Sequence, residues 1–164
     1  MKDVQDSTLS LACVRGLVIA VWRDAPTGGQ LRELRRAMEE ARERFETTAL
    51  INLVLSGTPS FSAEVREESA RLTRDNDWTL GTAHIVLVDG FTGVAVRSFF
   101  STMLLLGRPR VPTKVFGSLE DGSVWLEAIL RSSDMGWTAA SLADACHETC
   151  HEACHEACHE TRGG

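Results

Sequence analysis

Positive charge is scarce in this chain. Seventeen Lys and Arg stand against 23 Asp and Glu, leaving a net charge of -6, which excludes a nucleic-acid backbone as the main partner. A leader is also missing. Met1 to Ser10 carries Lys2, Asp3 and Asp6 and has no apolar h-region, so a cytoplasmic protein is expected. No membrane span is expected either, because the most apolar segment, Phe91 to Leu106, falls short of ~20 residues and contains Arg97. The five cysteines form no disulfide framework: Cys13 stands alone in a strand pattern, where it reads as a small buried hydrophobe, and the other four crowd the last 19 residues. GxGxxG and Walker spacings are absent. His84 is the only histidine before residue 147, and no nucleophile and base are arranged around it. It reads as a packed or surface residue. No enzyme is expected, and the core implies no cofactor.

What is present is one domain's worth of alternating elements. A single core commonly uses about 100–150 residues. Leu9 to Val14 and Leu17 to Trp22 are β-rich runs separated by Arg15-Gly16, the pattern of a tight hairpin. Leu31, Leu34, Met38, Ala41 and Phe45 then recur at helical spacing. The opposite face of that helix offers Arg35 to Glu39, Arg36 to Glu40 and Glu40 to Arg44 as pairs four apart. Ala49 to Leu55 is a central strand that ends at Ser56-Gly57-Thr58-Pro59. A helix beginning near Ser60 or Ser62 has Val65, Ser69 and Leu72 as its inward stripe.

The chain is organised around Ala83 to Pro109. Ile85 to Val88 is too short for anything but a strand, and Phe91 to Leu106 is long enough for about four helical turns. Asp89-Gly90 joins them, with Asp89 as the expected helix cap; the alternative, an anion or ligand site at this strand end, is disfavoured by the carboxylate itself. Lys114 to Phe116 is a last short strand, and Ser118 to Asp121 resembles a capping box ahead of a helix packed through Leu119, Trp125, Leu126, Ile129 and Leu130. The expected fold is an α/β layer: an N-terminal hairpin, then a mostly parallel four- to five-stranded sheet, with about four helices. Residues 1–8 read as a flexible terminus, 9–131 as the domain, 132–145 as a linker and 146–164 as a mobile or helical tail.

The order of elements, together with Val115-Phe-Gly-Ser-Leu-Glu-Asp-Gly-Ser-Val-Trp125-Leu126, resembles the STAS-like fold of sulfate-transporter and anti-sigma-factor-antagonist domains and their lipid-transfer-like relatives. The block from Gly90 to Leu106 is similar to a segment of an uncharacterised bacterial branch. The resemblance covers about Leu9 to Leu130 and implies a regulatory module that binds proteins. Its best-known members switch partners through a phosphorylated serine in an Asp-Ser-Ser-Gly motif. Here Ser60 and Ser62 occupy that place without the aspartate, and either could instead cap the helix.

Sixteen residues that are apolar nearly all round imply more contact than one sheet face provides. A protein partner or self-association is therefore expected at Phe91, Arg97, Phe99, Phe100 and Met103, with Arg97 in an ion pair or snorkelling. A small apolar ligand beneath this helix is a weaker alternative. The tail supplies a second class of function. Cys146, His147, Cys150, His151, Cys154, His155, Cys158 and His159 repeat every four residues. On a helix, thiolate and imidazole would share one side and could hold zinc, copper or nickel. The alternative is a repeat expansion with incidental affinity.

Overall fold

The structure, a computed structural model, describes residues 8–57 and 62–160, with side chains up to residue 152. It is an α/β layer. Strand β1 (Leu9–Val14) pairs antiparallel with β2 (Leu17–Trp22) across a turn in which Arg15 and Gly16 both have positive φ, 47° and 81°. Such a primed turn matches the twist of the hairpin. From β2 onward the ladder is parallel through β3 (Ala49–Val54), β4 (Thr82–Val86) and β5 (Thr113–Phe116), in the order β1-β2-β3-β4-β5.

Alternation along these strands makes two cores. Leu17, Ile19 and Val21 face one way with Ile51, Leu53 and Ile85, under α4 (Leu119–Leu130) and α5 (Ala139–Glu160). Val18, Ala20 and Trp22 face the other way with Leu50, under α1 (Gly28–Arg44) and Val65 of α2 (Ala63–Asp75). Helix α3 (Gly90–Gly107) packs on β4 and β5.

Helix α1 starts three residues before its first apolar anchor. Thr27 caps it: its hydroxyl accepts from the Gln30 backbone N–H at 3.2 Å, and the Gln30 side chain accepts from the Thr27 N–H at 3.0 Å. The pairs expected along its charged face do not form among the described residues. Arg32 instead reaches across to Glu64 at 2.9 Å and Glu68 at 3.5 Å on α2. Glu68 is buried there, at a position where the sequence pattern gave α2 no inward charge.

The expected linker over 132–145 is a correction. Met135 and Trp137 are buried and Leu142 is fully buried, all in the core under α4 and α5. Helix α5 is moored at its start by Glu127 of α4, whose carboxylate accepts from the Ala139 N–H at 2.7 Å. The helix then runs without interruption into the Cys-His-Glu repeat, and Ala145, Cys146 and Thr149 are buried. The repeat is thus partly core, and the described residues hold five helices. A chain ending at Arg131 is expected to lose cooperative unfolding in urea. Leu142→Ala in the full chain is expected to lower stability by about 2–5 kcal/mol; an unchanged midpoint in that variant would show that α5 does not belong to the core.

Candidate functional site

The site is built where β4 hands over to α3. Asp89 occupies the N-cap position but its side chain makes no cap hydrogen bond, contrary to expectation. The tightness of the turn rests on glycine instead. Gly90 has φ +68°, and a Cβ on Gly93 would lie 1.7 Å from the Val88 carbonyl oxygen, so only glycine lets the helix start this close to the strand.

Two residues of α3, Gly93 and Val96, are buried. Much of the rest of this apolar helix is exposed. Phe91 is 96% exposed, Leu105 78%, Leu106 75% and Val94 54%. An 18-residue window over Gly90–Gly107 has mean hydropathy 1.3, long and apolar enough by length and composition to cross a membrane, with 11% of it buried. Of the residues singled out from the sequence, Phe91 is on this open face, whereas Arg97, Phe99, Phe100 and Met103 are half-buried. Val94, Leu105 and Leu106 were not singled out. Hydropathy alone could not find them, since it is nearly uniform around the helix.

Arg97 makes no ion pair among the described residues. Its guanidinium turns back toward the sheet, with Nη1 3.5 Å from the Val86 carbonyl, and its side chain lies against Gly117. The one charge of the helix interior is therefore drawn off the exposed face.

Beneath α3 a polar chain crosses three strands. Trp22 Nε1 donates to Asn52 Oδ1 at 3.1 Å, and Asn52 Nδ2 lies 3.3 Å from His84 Nδ1. Because the indole can only donate, the Asn52 oxygen must face it and the amide nitrogen must face the histidine. His84 Nδ1 then accepts, which assigns the ring proton to Nε2. The ring stacks on Phe100 with centroids 5.0 Å apart, and burial pushes its pKa down to about 4. A neutral histidine thus fixes Phe100, and through it the middle of α3.

Ser62 caps α2, its hydroxyl accepting from the Val65 N–H at 3.2 Å; Ser60 lies outside the described residues. Cys13 is half-buried and its thiol pKa is raised by burial. In the repeat, Cys146 is fully buried and Cys150 half-buried against the core, whereas His147 and His151 are exposed. Cys146 and the two imidazoles therefore lie on different sides of the helix. The side chains of Cys154, His155, Cys158 and His159 lie outside the described residues. No group of three or more His, Cys, Asp or Glu side chains placed to hold a metal occurs among the described residues.

No family model, no curated protein and no solved structure matches this chain.

The depressed pKa of His84 fixes a sign for pH dependence. The unfolded chain, with histidine near 6.5, binds a proton that the folded chain refuses until about pH 4, so stability is fully present above 6.5 and is lost as pH falls through that window. Between pH 7 and 4.5 the full chain is expected to lose about 2–3 kcal/mol more than His84→Gln, read by urea unfolding. Parallel profiles would mean that His84 is not held neutral.

Proposed function

We propose that this chain is a non-catalytic interaction module of STAS-like type that docks a protein surface on α3. The observation that carries this reading is the open face of Phe91, Val94, Leu105 and Leu106 on a helix anchored by Gly93, Val96 and the Phe100–His84 stack. Exposed apolar side chains at both ends of this helix, with Ser98, Ser101 and Thr102 exposed between them, support docking, because leaving apolar surface in water forfeits roughly 25 cal/mol per Å². The hairpin followed by a parallel sheet in sequential order supports the STAS-like reading, and that support is by analogy of fold. Arg97, folded back to the Val86 carbonyl, leaves the face free of charge, which suits an apolar partner surface.

In the isolated chain the partner at hand is a second copy. Light scattering is expected to give a mass above 18.0 kDa that rises with concentration. Leu105→Glu with Leu106→Glu is expected to return the chain to monomer while shifting stability by only about 0.5 kcal/mol per site, since both side chains are exposed. A full chain that stays monomeric at every concentration, or an assembly unaffected by the two glutamates, contradicts the reading.

A further inference from the structure

We propose that His147 and His151 form a two-imidazole chelate on the outer face of α5 for a borderline divalent cation such as Zn²⁺, Ni²⁺ or Cu²⁺. The inference is independent of the α3 docking face. It rests on how the helix divides the repeat. Each Cys is followed directly by a His, so the two side chains leave the helix about 100° apart. Once α5 is docked by Leu142 and Ala145, Cys146 falls into the core at 0% exposure and His147 falls outside. One repeat later Thr149 is buried, Cys150 is half-buried and His151 is again exposed.

Cys146, directly before His147, is turned away from the outer face of α5. Its side chain is 0% exposed and packed in the core, out of reach of an ion on that face. Both imidazoles are exposed. Residues four apart on a helix stand one above the other with Cβ atoms about 5–6 Å apart, a span that two imidazole nitrogens can close on a single ion at about 2.0–2.1 Å. Both histidines stand on α5, whose start Glu127 and Leu142 hold in place, so the pair is presented by a helix that is already formed.

A carboxylate lies close by. His147 and Glu120 of α4 line one surface cleft of about 360 Å³, together with Ser123, Ala140 and Ala143. An ion on His147 would have water and a negative charge at hand to complete its shell. Nitrogen and oxygen donors in this mixture favour borderline cations over calcium or magnesium. The backbone of α5 continues to Glu160, and His155 and His159 follow at the same spacing, so they must be removed for a clean reading.

The test uses the full chain carrying His155→Ala and His159→Ala, kept reduced and titrated with Zn²⁺ by calorimetry. One equivalent is expected to bind. Adding His151→Ala is expected to weaken binding at least tenfold, and alanine, the best helix former, leaves α5 intact by circular dichroism. Cys150→Ser is expected to leave affinity unchanged. X-ray absorption of the zinc complex is expected to show nitrogen or oxygen neighbours at about 2.0–2.1 Å and no sulfur at about 2.3 Å. Absence of binding, binding that survives His151→Ala, or sulfur in the first shell would each overturn the proposal.

Discussion

Strand β2 is the constraint on which the rest depends. All six of its residues are buried, it is paired antiparallel to β1 on one side and parallel to β3 on the other, and its two faces feed the two cores. A strand placed in this way must be covered above and below, because each exposed Val, Ile or Leu would forgo about 1.5–3 kcal/mol. One cover is α4 with α5. The other is α1, with α2 braced on it by Arg32 and Glu64.

The two covers are finished differently. On the α4 and α5 side, the chain returns from the far edge of the sheet and closes over β1 and β2, with Trp137, Leu142 and Cys146 completing the layer. On the opposite side, α3 meets β4 and β5 at the sheet's margin and buries only Gly93 and Val96. Position at the margin explains the contrast. A helix there has sheet under one side alone, and an apolar sequence on its other side stays in water unless another surface arrives. The Trp22–Asn52–His84 chain lies under this half-covered region. Its hydrogen bonds satisfy buried polar groups while Phe100 seals it from above. The exposed apolar face of α3 and its polar foundation are thus parts of one arrangement.

Much of the architecture was legible from local signals. The hairpin strands begin and end where the sequence places them, because apolar runs interrupted by Arg15-Gly16 leave one solution. The existence of α3 was also legible from the length of its apolar run. Its exposed face was not, since a helix apolar on all sides carries no periodic signal and its orientation is set by where β4 and β5 lie. The meeting of Asn52 with His84 depends on parallel register, which pairs them directly and which no local pattern encodes. The misread linker has a different cause. Leu142, Ala145, Cys146, Thr149 and Cys150 follow helical spacing, but the stripe is visible only if cysteine is counted as a hydrophobe. Counting it as a ligand hid the helix's packed face.

The central claim is that α3 is a firmly held helix whose outer face is covered by another protein surface. Amide hydrogen exchange measured on the full chain across a range of protein concentrations tests it most directly. The account predicts that protection within Gly90–Gly107 rises with concentration while protection of β2 stays constant. Protection of α3 that is already complete at the lowest concentration and does not change, in a chain that remains monomeric, would contradict it.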